Sequence, residues 1–168
     1  DFEGNSIGGW QILSQVGESY DSSPAYVAEV EGGGYVVSFK YGESNGFSLF
    51  GPDHSKIGST YLTMDNPVVT GLDSGGYIVV GQSDKADRVA IAIFDEEGKT
   101  EDGEVWLNSS SLYAQDIATS TLPDGSVVIT WSGYEDKTYH VYSQHLDASG
   151  NPDREVEIFD VADKYSNP

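Results

Sequence analysis

The chain contains no cysteine among its 168 residues, which excludes disulfide bonds, thiolate zinc sites and a cysteine nucleophile. It also lacks an apolar run near the roughly 18 to 20 residues that a membrane-spanning helix needs, so membrane insertion is not expected. No basic segment of the kind that opens a signal peptide is present. The abrupt first and last residues favour a piece cut from a longer protein.

Basic residues are scarce: 8 Lys and Arg stand against 28 Asp and Glu, for a net charge of −20. Nucleic acid and anionic membrane surfaces are therefore excluded as partners, because binding them requires clustered Lys and Arg. Cations are the natural counterpart, either as bound Ca²⁺ or as ions around a generally acidic surface. The 38% of hydrophobic residues and 12% of aromatic residues indicate a folded domain with a core rather than a disordered acidic chain.

Three stretches of the chain repeat one pattern. Each has an apolar residue, a tight turn with glycine, and then an alternating run rich in β-branched residues, which is typical of a β-hairpin. The turn glycines Gly33, Gly75 and Gly125 are 42 and 50 residues apart. The stretches are VEGGGYVVSF (Val30–Phe39), LDSGGYIVVG (Leu72–Gly81) and LPDGSVVITW (Leu122–Trp131).

A second set of polar turns recurs in the same register, at Leu49–Gly58, Ile93–Gly103 and His145–Glu155. Each copy therefore holds four strands, and no segment has a sustained helical period. We predict one all-β module over residues 1–168, with a leading strand at 7–15 and repeats at about 22–64, 65–110 and 111–161. In the third repeat the predicted strands are Asp116–Thr121, Ser126–Trp131, Thr138–Leu146 and Glu155–Val161.

Three repeats of a four-stranded antiparallel unit predict blades like those of a β-propeller. A β-trefoil or another three-fold β arrangement is the alternative. Three blades rarely close a ring, so self-association with another copy is one way to complete it. The stretch Tyr139–Leu146 carries large residues on both faces, which predicts a strand sandwiched between neighbouring sheets.

The third repeat resembles the tandem repeats of very large secreted bacterial proteins, the RTX-type (hemolysin-type calcium-binding) adhesins. This resemblance implies a secreted or cell-surface location, a multidomain parent protein and a role in adhesion, and it brings no catalytic residue. The glycine-rich nonapeptide that builds calcium β-rolls in such proteins is absent. The residues that carry the resemblance are Leu122, Asp124, Gly125, Val127, Val128, Trp131, Val141, Tyr142, Gln144, Asp147 and Gly150.

Two acidic turns are candidate Ca²⁺ sites, because calcium takes six to eight oxygen ligands from carboxylates and carbonyls on sharply turning loops. Neither turn follows the pattern of an EF-hand loop. The alternative is a solvated hairpin turn in which Asp caps its own backbone. The candidate ligands are Asp95, Glu97, Asp102 and Glu104 in the first turn, and Asp147 and Asp153 in the second.

Aromatic residues supply the candidate ligand-binding surface. Tyrosine in loops beside Ser, Asp and Gly is typical of surfaces that bind sugars or proteins, although it also anchors ordinary loops. We therefore take Tyr41, Tyr113, Tyr134 and Tyr165 as candidates for binding a host or cell-surface glycan or protein. Trp10, Trp106 and Trp131, with Phe39, are expected to pack between sheets.

The chain is predicted to be non-enzymatic: an extracellular adhesion or scaffold module of a large bacterial surface protein that presents loops to ligands. The nucleophile elbow, the H-E-x-x-H motif and the phosphate-cradling loop are all absent from the sequence. The alternative is a lectin-like carbohydrate-binding module. A third possibility, a glycan-processing enzyme, requires a pair of facing carboxylates.

Overall fold

The computed structural model describes residues 25–41, 44–83, 88–100, 102–107, 112–135 and 137–160, and every regular element in these ranges is a β-strand. The predicted leading strand at 7–15 lies outside them. The first sheet holds β1 (Tyr26–Val30), β2 (Gly34–Tyr41), β3 (Ser44–Phe50) and β4 (Lys56–Leu62). The second holds β5 (Met64–Gly71), β6 (Tyr77–Ser83), β7 (Val89–Phe94) and β8 (Glu104–Trp106), and the third holds β9 (Leu112–Thr121), β10 (Val127–Glu135), β11 (Thr138–Leu146) and β12 (Glu157–Asp160).

All three sheets are antiparallel meanders in which each strand pairs with the next strand of the chain. The prediction of an all-β fold with three four-stranded antiparallel units is confirmed. In the third sheet, β11 has the predicted bounds, whereas β9 begins four residues before the predicted Asp116 and β10 continues four residues beyond Trp131. These strands extend further because their outer ends pair with each other.

The first turn of each sheet has one geometry, which explains the repeated glycine. Gly33, Gly75 and Gly125 have φ values of +84°, +89° and +81°, in the left-handed region that glycine adopts without steric cost. Each donates its backbone N–H to the carbonyl three residues earlier, on Val30, Leu72 or Leu122, at 3.2, 3.1 and 2.9 Å. The three turns are therefore structurally equivalent, as the sequence predicts.

The turn between the third and fourth strands is repeated as well. The backbone N–H of His54, Gly98 and Gly150 donates to the carbonyl of Gly51, Asp95 and Asp147 at 2.9, 3.0 and 2.9 Å. His54 has a φ of +62° where the other two sheets place glycine, so the first sheet accommodates a side chain in a conformation that disfavours one.

A bulge marks the first strand of the second and third sheets. Asn66 (φ +51°) and Asp116 (φ +52°) lie nine residues before Gly75 and Gly125, and the pairing register is interrupted beside each. The third repeat lacks the proline that follows Asn66, yet it keeps the bulge. Asn and Asp tolerate the left-handed region, so they carry this feature rather than the proline.

The sheets stack one on another. Strand β5 contacts β1, β2 and β3 of the first sheet, and β9 contacts β5 and β6 of the second. The second sheet is thus buried on both faces: Tyr77 and Val79 belong to the core shared with the first sheet, and Ile78 and Val80 to the core shared with the third. Within the described residues the sheets pack face against face, like blades, and they do not close into a ring.

Candidate functional site

One rim of the stack carries the glycine turns. Both sets of equivalent turns lie at the same end of their sheets, since antiparallel strands reverse direction at every turn. Turns of neighbouring sheets contact each other there: the Ser74 hydroxyl donates to the Ala148 carbonyl at 3.0 Å, and the Asp73 side chain lies against Gly125. We call this end the glycine rim.

Aspartates on the glycine rim accept hydrogen bonds from their own turns. Asp95 Oδ1 accepts from the backbone N–H of Glu97 and Lys99 at 3.0 and 2.8 Å. Asp147 Oδ1 accepts from the backbone N–H of Ser149 and Asn151, both at 2.9 Å. These contacts are Asx-type turns, in which the carboxylate orders the hairpin loop.

Hydrogen bonds stabilise the ionised carboxylate of three aspartates on this rim, Asp53, Asp124 and Asp147. The Ser55 hydroxyl lowers the pKa of Asp53, and the Ser126 hydroxyl lowers the pKa of Asp124 in the same way. The Asn151 backbone N–H lowers the pKa of Asp147. Hydrogen bonds to the ionised form lower a carboxyl pKa, so these three aspartates stay ionised at a lower pH than a free aspartate does.

The candidate calcium ligands of the two acidic turns make separate interactions. Glu97 forms an ion pair with Lys99 at 2.9 Å, whereas Asp95 accepts hydrogen bonds within its own turn. Glu104 accepts hydrogen bonds from Thr63, at 2.5 Å from the hydroxyl and 3.2 Å from the backbone N–H, so it links the second sheet to the end of the first. In the second turn, Asp153 pairs with His145 at 2.6 Å.

Two of these ligands share a cleft. Asp95 and Asp102 both line a depression of about 390 Å³ on the glycine rim, between the turns of the second and third sheets, and Lys99 lines it with them. We call it the rim cleft. Among the residues that the structure describes, no three acidic or histidine side chains come together closely enough to hold a metal ion.

Three of the four candidate tyrosines belong to the opposite rim. Tyr41 ends β2, Tyr113 lies at the start of β9, and Tyr134 lies near the end of β10. Of the four candidates, Tyr134 is the one whose side chain is described: it is exposed, and its ring is tilted against that of Tyr139 with centroids 4.7 Å apart. Tyr165 lies outside the described residues.

A second cleft, of about 720 Å³, lies where the outer strands of the second and third sheets meet. We call it the edge cleft. Its lining residues include Trp106 and Ile158, which are exposed, and the charged residues Asp153, Arg154 and Glu155. Trp106 is 49% exposed, so the expectation that it packs between sheets is wrong. Trp131 is 1% exposed and packs between sheets as expected. Short β8 leaves Trp106 at the margin of its sheet.

The floor of the edge cleft is held in place by a buried amide. Gln144 is 3% exposed, and its Nε2 donates to the carbonyls of His145 and Arg154 at 2.9 and 2.8 Å. This tethers the connection between β11 and β12 and fixes the backbone at Arg154. Exposed apolar residues beside charged hydrogen-bonding groups on a fixed backbone suit a polyhydroxylated ligand such as a sugar.

Sequence reasoning missed Trp106, Arg154 and Tyr139 as surface residues. Arg154 offered a weak signal, because it is one of 8 basic residues in a strongly acidic chain. Trp106 gave none, since an isolated tryptophan in a short strand indicates a core residue.

No family model matches the chain, and none of the curated proteins matches it. In the part of the chain that the structure describes, no helix has the length and apolar character needed to cross a bilayer.

Proposed function

We propose that this chain is a non-enzymatic scaffold and adhesion module of a large bacterial surface protein, located outside the cell. The observation that carries the proposal is the serial stacking of equivalent sheets, in which the second sheet is buried on both faces. Such stacking supplies a rigid body whose length grows by whole repeats, which is the property of a spacer or display module. The resemblance of the third repeat to those of RTX-type adhesins supports the same proposal.

The arrangement of the acidic residues favours a structural role over a catalytic one. Asp95, Asp124 and Asp147 accept hydrogen bonds from the backbone or side chains of their own turns. A glycoside-cleaving pair instead needs one carboxyl group with a raised pKa facing another across the substrate.

Adhesion is tested with beads that carry the purified chain, passed under flow over surfaces coated with glycans or host cell-surface proteins. We expect more beads to be retained than with an unrelated domain of equal negative charge, and fewer with Tyr134→Ser if the rim that carries Tyr134 makes the contact. A screen for glycan hydrolysis runs in parallel. Hydrolysis without retention would contradict the proposal and favour the enzyme.

The second candidate function is lectin-like carbohydrate binding, and the edge cleft favours it. Exposed Trp106 and Ile158 are among the residues that line it, and the C–H side of a sugar ring can stack on an exposed aromatic side chain; Arg154 and Glu155, in the same lining, offer hydrogen bonds.

A glycan array probed with the chain and with Trp106→Ala tests this candidate. We expect the variant to lose binding at least about tenfold, the effect of removing about 1.4 kcal/mol of contact. Tyr61→Ala is the matched control, because Tyr61 is an aromatic residue that is 69% exposed on the first sheet, away from the cleft. Equal binding by Trp106→Ala and the unmodified chain would contradict the candidate.

A further inference from the structure

At the two ends of the stack lie sheet faces on which no other described sheet packs. On the third sheet, Tyr139 and Val141 project to the same side of β11, and Phe159 is paired directly with Val141. Their exposed fractions are 64%, 36% and 51%. The prediction that this strand is sandwiched between sheets therefore holds for one face only. We call this surface the third-sheet end face.

The repeat register shows what this face does elsewhere in the chain. Val36, Ile78 and Val128 are three residues beyond Gly33, Gly75 and Gly125, so they are equivalent. Val36 and Ile78 are both fully buried, under the second and the third sheet respectively. Val128 occupies the same position on the third-sheet end face, because it pairs with His145, four residues from Val141 on the same strand. The face that receives the following sheet in two repeats is thus uncovered in the third.

The opposite end carries the complementary surface. The second sheet docks on the first through Tyr77 and Phe94, whose rings stack at 5.3 Å with planes 12° apart and contact Phe47. The equivalent residues of the first sheet, Tyr35 and Phe50, stack at 4.9 Å, also with planes 12° apart. The first sheet thus carries the equivalent aromatic pair on its outer side, where Tyr35 is partly exposed and Phe50, stacked against it, is 1% exposed.

Exposed apolar side chains surround this pair. Val27 is paired with Val37, two residues from Tyr35, and is 69% exposed. Tyr61, on the same side of the sheet through its pairing with Gly46, is also 69% exposed. We call the surface formed by Val27, Tyr35, Val37 and Tyr61 the first-sheet end face.

We propose that the third-sheet end face of one chain binds the first-sheet end face of a second copy, head to tail, continuing the packing that joins the sheets within the chain. The contact is heterologous, so it closes into a ring if the rotation between copies permits and otherwise extends as a filament. The two interfaces inside the chain indicate which surface binds the third-sheet end face. The first-sheet end face carries an aromatic pair equivalent to Tyr77 and Phe94, which dock the second sheet on the first.

The association is weaker than the internal contacts. Phe47 and Leu49, on the face of the first sheet that receives the second, correspond to Ser143 and His145 on the third-sheet end face. Less apolar area is therefore buried, and each copy carries a charge of −20. Salt screens that repulsion, so the complex forms at high protein concentration and moderate ionic strength.

Sedimentation of the 168-residue chain, from about 5 to 500 µM protein in about 300 mM NaCl, tests the proposal. We expect the average mass to rise with concentration above that of the 18.1 kDa monomer. Two variants each remove one face: Tyr139→Thr with Phe159→Thr, and Val27→Thr with Tyr61→Thr. Threonine keeps β propensity, and an unchanged melting temperature verifies folding. Val105→Thr with Trp106→Thr, on the second sheet, is the matched control.

Each face variant should remain monomeric, and the control should associate like the unmodified chain. An equimolar mixture of the two face variants should form a dimer of one copy of each, because one intact pair of faces remains. Three results would overturn the proposal: a monomer at every concentration, association that survives both face variants, or association lost in one face variant and kept in the other. The last of these indicates pairing of like faces.

Discussion

The indole ring of Trp131 stacks on the phenol ring of Tyr142, with centroids 5.5 Å apart and planes 7° apart. The two residues are directly paired on β10 and β11, and both are 1% exposed in the core between the second and third sheets. Trp131→Ala should therefore lower the free energy of unfolding by about 3 to 5 kcal/mol, the range for emptying a large aromatic site. Chemical denaturation measures the loss.

Trp106→Ala is the matched control for that experiment, because the same side chain is removed from a position that is 49% exposed. Its cost should stay below about 1 kcal/mol. Similar costs for the two variants would contradict the assignment of Trp131 to the core and of Trp106 to the surface.

Gly76→Ala should destabilise the hairpin of the second sheet severely. Gly76 has a φ of +79°, and a Cβ atom there would lie 2.1 Å from the backbone carbonyl oxygen of Phe94. Because a backbone atom must move, we expect a loss of about 3 kcal/mol or more. Gly32→Ala is the control: its φ is +86°, but a Cβ atom meets nothing within 4 Å, so only the conformational strain of about 1 to 2 kcal/mol applies. Equal losses in thermal melts would contradict the steric argument.

Acid should weaken the glycine-rim turns. The pKa values of Asp124 and Asp147 are lowered in the folded chain, by hydrogen bonds from the Ser126 hydroxyl and from the Asn151 backbone N–H, relative to the ordinary value of 3.8. Their stabilising contribution is therefore complete above pH 3.8 and is lost as the pH falls through the folded-state values. Asp124→Asn with Asp147→Asn keeps the hydrogen-bond acceptors and removes the titration.

The double variant should lose less stability than the unmodified chain as the pH falls from about 5 to about 3, measured by denaturant unfolding. Glu155→Gln, which removes one charge at an exposed position outside the turns, is the comparison variant. A double variant with the same acid dependence as the unmodified chain would rule out a role for these two carboxylates.

Monovalent salt should stabilise the fold gradually. With a net charge of −20 on 168 residues, the folded chain repels itself. Raising NaCl from about 10 to 300 mM shortens the Debye length from about 30 Å to below about 8 Å, so the melting temperature should rise across the whole range. A melting temperature that does not change with NaCl concentration would mean that repulsion among the acidic residues destabilises the folded chain little.

Calcium binding at the rim cleft stays a prediction, and it is separable from screening. Asp95 and Asp102 line the same cleft, so an ion there should raise the melting temperature at about 1 mM Ca²⁺ beyond matched Na⁺ at equal ionic strength. Asp102→Asn should abolish the difference, whereas Asp153→Asn, in the other predicted site, should keep it if the ion lies in the rim cleft. Equal melting temperatures in Ca²⁺ and in matched Na⁺ would contradict calcium binding at the rim cleft.

The sequence by itself determined the repeat unit. Gly33, Gly75 and Gly125 mark equivalent turns because a positive φ is a local requirement, which glycine satisfies whatever surrounds it. The alternating runs that follow then specify strands, and the end of β11 at Leu146 was readable for the same reason. Local chemistry also allowed Asp147 to be interpreted in two ways, as a calcium ligand or as a cap for its own turn, and Asp147 accepts backbone hydrogen bonds from that turn.

Only the tertiary structure decided which faces are covered. Trp106 and Trp131 both lie in strands, but a neighbouring sheet covers one and not the other. The burial of Ile78 and Val128 cannot be judged from their own repeats either. Ile78 is buried and the equivalent Val128 is only partly so, because a third sheet packs on the second while no described sheet packs on the third. Burial is a property of the neighbour as well as of the residue, and distant segments of the chain supply that neighbour.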